Sequence, residues 1–252
     1  MNVVRMICIA SGLVIVWQTI IFFTGVPPYI LPDPLKVVKA VYTHAGTLLG
    51  HAMTTLVEII AGLVLGTVLG AASAVTMMAS RSLKRWLMPV LVMSQAIPVF
   101  ALAPLLVLWL GYGLGSKIAM AVLIIFFPVT AAFFDGLRST EPDWLELARV
   151  MNAPPLSVLR HIRIPAALPS FASGLRVATA VAPIGAIVGE WVGSSRGLGF
   201  YMLHANARMQ IDVMFAALSV LALLSLGLYF TVDKVLTRLV FWQKVEERES
   251  DT

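Results

Sequence analysis

The chain reads as an all-α polytopic transmembrane helical bundle of about six spans, with one long polar segment on a single side. Three observations predict this. Apolar residues fill 59% of the 252 positions and charged residues only 12%, about half the ~25% usual in a soluble domain. The apolar residues gather into runs near twenty residues, the length at which a helix crosses a hydrocarbon core of about 30 Å. Gly and Ala run through these stretches, whereas buried strands are short and rich in β-branched residues. Spans are expected at 5–24, 51–79, 87–111, 117–137, 167–193 and 213–236.

The first run resembles a signal peptide only in position. It is longer than an h-region and no small-x-small site precedes the Gly25-Val26-Pro27-Pro28 turn, so an uncleaved span is expected. The turn continues to Pro34 and cannot extend a helix. Leu35, Val38 and Tyr42 then recur at helical spacing, which predicts a short helix lying at the outer surface.

Span two carries Gly62, Gly66, Gly70 and Ala74 at intervals of four. Small residues on one helix face let a neighbouring backbone approach closely. Spacing leaves open whether that neighbour belongs to this chain or to a second copy. Spans three and four are interrupted by Pro98, Pro104 and Pro128, each a missing backbone donor and a kink. Gln95, three residues before Pro98, either lines a solute route or sits in a kinked packing helix. Trp109 reads first as a member of the aromatic belt and second as part of the same route.

Ionisable residues inside spans are few: Glu58, Arg176, Glu190 and, near an inner end, Asp135. Such groups are costly in lipid and usually face a cavity or a partner. Glu58 and Arg176 are a candidate pair. Glu190 precedes Trp191, a carboxylate beside an aromatic surface that suits a polar, flat or cationic ligand. Its bland alternative is an interfacial Glu that reaches water.

Lysine and arginine set the orientation. Twelve fall in one set of termini and loops (Arg5; Arg81, Lys84, Arg85; Arg138, Arg149, Arg160, Arg163; Lys234, Arg238, Lys244, Arg248). Five fall in the other (Lys36, Lys39, Lys117, Arg196, Arg208). Both termini and the 138–165 loop are therefore expected in the cytoplasm. The net charge of +5 follows this asymmetry and not a nucleic-acid patch.

No catalytic set and no metal site emerges. His44, His51, His161 and His204 are scattered without ligand spacing, Cys8 is the lone cysteine, and no Gly-rich loop with Lys and Ser/Thr offers a phosphate cradle. Ser194 and Ser195 ahead of Gly197 and Gly199 read as a turn.

The polar segment is the informative part. Thr140 is the expected N-cap of a helix that opens with Glu141, Pro142 and Asp143. Leu145, Ala148, Val150 and Met151 give it an apolar side. Asn152 falls where it stops, the commonest residue after Gly able to take left-handed backbone. Ala153 and Pro154-Pro155 start a second short helix through Leu156, Val158 and Leu159, and Pro165 is expected to end the unit. The product is a compact knob built to dock a soluble partner.

These residues resemble the EAA motif of importer-type ABC permeases (E-A-A, three residues, G, then I-x-L-P). Glu146, Ala148, Ile162 and Pro165 match it, Leu147, Asn152 and Ile164 replace Ala, Gly and Leu, and Ala153 follows the Gly position. PDPLKVVKAV, AIPVFALAPLLVLWLGYGLGSK, FFPVTAAFFDGLRS, PAALPSFASGLRVA and GEWVGSSRGLGF extend the likeness to the nitrate, sulfonate, taurine and pyrimidine-precursor branch. GEWVGSSRGLGFYMLHAN looks most like permeases for hydroxymethylpyrimidine-type thiamine precursors, and Glu58 stands where sulfonate-type relatives tend to have Arg.

The resemblance implies one transmembrane permease domain over 1–252 in a bacterial inner membrane. It implies a homodimer, two ATP-binding subunits that hold the ATP and Mg, and an extracytoplasmic solute-binding protein, with no enzymatic activity in this chain. It implies that Glu146, Ala148, Asn152, Ala153, Leu156, Ile162 and Pro165 couple to the ATPase. Gln95, Pro98, Trp109, Glu190 and Trp191 are the candidate solute pathway, and Gly62, Gly66 and Gly70 the packing face. A rival class is the ion-coupled secondary transporter, for which Glu58 is the one deep ion-carrying candidate; a membrane-embedded enzyme or scaffold is the other.

Overall fold

A computed structural model describes residues 3–242; Lys244 and Arg248 lie outside them. The described chain is helical almost throughout, without a strand. In order come α1 (Val3–Thr24), α2 (Pro34–Thr43), α3 (Ala45–Ala79), α4 (Arg81–Ala96), α5 (Val99–Leu110), α6 (Leu114–Arg138), α7 (Pro142–Val150), α8 (Pro155–Val158), a π-helical turn (Leu159–Arg163), α9 (Ile164–Gly193), α10 (Leu198–Ala207) and α11 (Ile211–Leu239).

Four helical stretches among the described residues are long and apolar enough to cross a membrane: α3, α6, Pro155–Gly193 and α11. A fifth arises if α4 and α5 count as one span, although their axes meet at 104°. The third span, expected as one run over 87–111 kinked at its prolines, is thus a broken pair. Pro98 is the cause: it donates no N–H, and it forces Ile97 out of helical backbone into φ −85°, ψ 120°. Pro104 and Pro128, expected to interrupt as well, stay inside continuous helices.

Helix α6 is the axle of the bundle. On one side Gly62, Gly66 and Gly70 of α3 face Ala121, Ile125 and the Phe126–Thr130 turn. On the other, Gly174, Gly185 and Gly189 of α9 face Pro128, Ala121 and Lys117. Ala121 is caught between both neighbours. A Cβ at Gly62 would lie 2.3 Å from its Cβ, and one at Gly185 would lie 2.6 Å from its Cα. The neighbour of the small-residue face thus lies within this chain. Close backbone contact supplies the dispersion energy that drives helix association in lipid, where apolar burial offers little.

The short outer helix forms as its sequence dictates. Asp33 accepts the Leu35 N–H at 2.8 Å and Pro34 opens the first turn. Val37 and Ala40 are buried in a cluster shared with Val213, Ala216 and Ala217 of α11, while Leu35, Val38 and Tyr42 are left exposed.

Candidate functional site

Two places concentrate polar chemistry: the knob between α6 and α9, and a buried cluster beneath α10.

At the knob, α7 ends in a double hydrogen bond. Asn152 stands at φ 52°. Its N–H donates to the carbonyl of Arg149 at 3.0 Å, and the Ala153 N–H donates to that of Ala148 at 2.9 Å. This is the Schellman closure of a helix C-terminus, which requires one left-handed residue. Pro154, in extended backbone, then turns the chain into α8.

Two local expectations are corrected here. Thr140 does not cap α7, because its hydroxyl donates back to the carbonyl of Leu137 and is buried; Glu141 occupies the cap position. Pro165 does not end the unit either. The chain runs from α8 through the π turn into α9 without a break, with Pro165 in the first turn of α9. The wider π turn directly ahead absorbs the hydrogen bond that Pro165 cannot donate.

Arg163 fastens the knob to the spans. Its guanidinium donates to the Leu137 carbonyl at 2.9 Å, at the end of α6, and lies 3.8 Å from Met78 Sδ near the end of α3. Around it the knob presents apolar side chains outward. Trp144, Leu147, Val150, Met151 and Leu156 are 49–80% exposed, and Glu146 is exposed beside them. Ala148 is buried, whereas Ala153 and Ile162 are half-buried. A groove of about 600 Å³ runs between Trp144, Leu147, Met151, Ile162 and Pro165. Exposed apolar patches of this kind belong to surfaces that contact another protein, a membrane or a ligand.

The second cluster lies where α3, α6 and α9 meet α10. Glu190 is 1% exposed. It accepts from Thr55 Oγ1 at 2.6 Å, from the Gly199 N–H at 2.5 Å and from the Phe200 N–H at 3.4 Å. Thr55 Oγ1 in turn accepts the Leu198 N–H at 2.8 Å, and His51 Nδ1 accepts the Gly197 N–H at 3.0 Å. Gly197 has φ 112°, and a Cβ there would lie 2.1 Å from Glu190 Cδ. Only glycine lets the loop wrap this carboxylate. The N-terminal N–H groups of α10 give Glu190 its countercharge.

Beside it Glu58, fully buried, forms an ion pair of 3.2 Å with Lys117 Nζ. Beyond that pair neither Glu58 oxygen has a hydrogen-bond partner among the described residues. The candidate pairing of Glu58 with Arg176 is corrected: Arg176 bonds Asp233 of α11 at 2.6 Å instead. Glu190 as an interfacial carboxylate reaching water is corrected likewise, since the α10 loop covers it.

Of the candidate pathway, Gln95 and Pro98 lie exposed at the α4–α5 break. Trp191 is 41% exposed and packs against Phe100 with ring centroids 6.0 Å apart. The fold thus brings the start of α5 to Trp191, and leaves Trp109 at the opposite end of α5, 69% exposed. Lys117, His51, Thr55 and Phe100 join these clusters without a motif in the sequence to mark them. Lys117 has a local signal, a cation opening an apolar run, but by position alone it reads as a loop charge.

Comparison with known proteins agrees with this architecture. Residues 62–241 match the family described as binding-protein-dependent transport system inner membrane component. A probable ABC transporter permease protein of Haemophilus influenzae is 54% identical over 240 residues, covering 95% of this chain and 98% of that protein. The formylaminopyrimidine transport permease protein ThiX of Halalkalibacterium halodurans is 37% identical, covering 92% and 93%. A chain of the MetNI methionine ABC transporter in an inward-facing conformation shares the fold with a TM-score of 0.60 at 22% identity, covering 83% of this chain and 98% of its own. The chain belongs to the binding-protein-dependent transport system inner membrane components, as a membrane-spanning permease subunit of an ABC importer.

Proposed function

We propose that this permease admits a small flat heteroaromatic solute, of the pyrimidine type from which thiamine is built, by alternating access. It works as a homodimer with two ATP-binding subunits, which hold the ATP and Mg, and receives solute from an extracytoplasmic binding protein. The chain is a single permease domain without enzymatic activity of its own. It sits in a bacterial inner membrane with both termini in the cytoplasm.

The observation that carries this reading is the knob, an apolar face with Glu146 beside it, held rigidly to α6 through Arg163. Closure of the ATPases on Glu146, Ala148, Asn152, Ala153, Leu156, Ile162 and Pro165 would displace α6 and α9 together, as a packed bundle with two arrangements requires. The likeness to a formylaminopyrimidine permease favours the substrate class. The partly exposed Trp191 and Phe100, with Gln95 near the break, supply stacking and hydrogen-bonding groups that suit a flat heterocycle. Glu190 serves that route indirectly, since its oxygens are already bonded. Glu58, on which ion-coupled transport would rest, is already paired with Lys117.

Uptake into proteoliposomes holding this chain, its ATPase and its binding protein tests the proposal, with labelled hydroxymethylpyrimidine set against aliphatic sulfonate, taurine and nitrate. ATP-dependent uptake blocked only by pyrimidines is expected. Blockage by a sulfonate would keep the machinery and replace the substrate. Uptake that ignores ATP and follows an ion gradient would overturn the coupling role of the knob.

A further inference from the structure

One nitrogen of His51 ties down the loop that joins α9 to α10. The buried Gly197 N–H donates to His51 Nδ1 at 3.0 Å, which makes Nδ1 the unprotonated nitrogen of a neutral ring. The ring is half-buried and stacks on Tyr201 of α10, with centroids 4.9 Å apart. The next three N–H groups are held otherwise, Leu198 by Thr55 and Gly199 and Phe200 by Glu190. Ahead of Gly197 the turn is stiff. Ser194 Oγ accepts the Arg196 N–H at 3.1 Å and donates to the Arg196 carbonyl. The exposed Arg196 side chain and His51 line one recess of about 220 Å³, together with Gly46, Thr47 and Gly50.

We propose that His51 is a proton sensor, which fastens the α9–α10 loop when neutral and releases it when protonated. An imidazolium carries N–H on both nitrogens and accepts nothing. Protonation therefore turns the Gly197 bond into two donors facing each other, at a buried amide where a lost partner is costly. It also places a second cation beside Arg196 in the same recess, and the two repel. The other ionisable groups around the ring are Tyr201 of α10, His204 across Phe200, and Glu190 of α9 by way of Thr55. On α3 itself His44 and Glu58 stand two turns to either side. Glu190 keeps Gly199 and Phe200, so α10 stays docked and the release is confined to residues 194–197. That segment begins three residues after Trp191, so acidity is passed to one end of the proposed solute route. This consequence rests on that reading of the route; the sensor itself needs neither solute nor ATPase.

Hydrogen–deuterium exchange of the full chain in lipid nanodiscs tests it, read at single residues and corrected for the intrinsic pH dependence of exchange. The range is about pH 8 to about pH 5, over which imidazole titrates. Protection of the Gly197 amide should fall on the order of tenfold at the acid end, the scale of one hydrogen bond, while Gly199 and Phe200 keep theirs. His51→Asn offers an acceptor oxygen in place of Nδ1 but binds no proton, and Gly197 should stay protected at both ends. His51→Phe keeps a ring against Tyr201 without an acceptor, and Gly197 should exchange fast at both. Equal protection of wild-type Gly197 across the range, or an acid response that survives in His51→Asn, would overturn the sensor. So would an acid response shared by Gly199 and Phe200, which would put the titration on Glu190. Should neither variant insert, the ring-nitrogen NMR shifts of wild-type His51 decide: a ring that stays neutral across the range rules the sensor out.

Discussion

Ala153 donates its backbone N–H to the carbonyl of Ala148 at 2.9 Å, and this bond folds the chain back at the end of α7. It exists because Asn152 between them adopts φ 52°. The angle between the two short helices of the knob is therefore set by one residue's backbone.

Asn152→Val should destabilise the knob by about 1–2 kcal/mol, the cost of left-handed backbone in an L-residue, and more for a β-branched one. Asn152→Gly should be neutral or slightly stabilising. Denaturation in mixed micelles separates the two variants. ATP-driven uptake should fall in Asn152→Val and in Glu146→Lys, with insertion retained; normal uptake in both would count against the coupling role.

The contact between Gly62 and Ala121 predicts a compensating pair. Gly62→Ala places its Cβ 2.3 Å from that of Ala121, an overlap expected to cost about 1–3 kcal/mol. Ala121→Gly in the same chain removes the clashing atom and should recover most of the loss. Thermal stability of the single and double variants decides this.

Gly197→Ala should be far more damaging than Gly227→Ala. The first puts a Cβ inside the Glu190 carboxylate at φ 112°, while the second meets nothing within 4 Å. Overpacking and backbone strain together come to at least about 2 kcal/mol at Gly197. The amount of correctly inserted protein is the readout, and equal yields would contradict the packing of the α10 loop.

Arg163→Ala should loosen the knob from α6 by removing a charge-assisted hydrogen bond worth about 1.5–3 kcal/mol. Its distinguishing signature is solute moved per ATP hydrolysed, which should fall while hydrolysis by the assembled complex persists. A proportional loss of both would reduce Arg163 to a folding role.

The knob was legible in the sequence because its determinants are local. Asn152 ends α7 through its own backbone, and Pro142 and Pro155 open their helices by lacking a donor. Thr140 does not cap α7 because a neighbouring carbonyl, that of Leu137, competes for its hydroxyl. Pro165 does not end the unit because a π turn can carry a proline into a continuing helix. The α4–α5 break was legible as a position, Pro98, but not as an angle, since proline removes a bond without specifying where the next helix packs.

By itself the sequence determined the class of the protein and the place of the short polar helices between α6 and α9, because the composition leaves only lipid as a solvent and a spanning helix satisfies its own backbone. The tertiary structure alone decided which charges meet. Thr55 and Glu190 are 135 positions apart, and Lys117 found Glu58 only because glycines on α3 and α9 let α6 approach both helices. Partner choice among buried charges follows from interhelical distance, and no periodicity within a single helix encodes that distance.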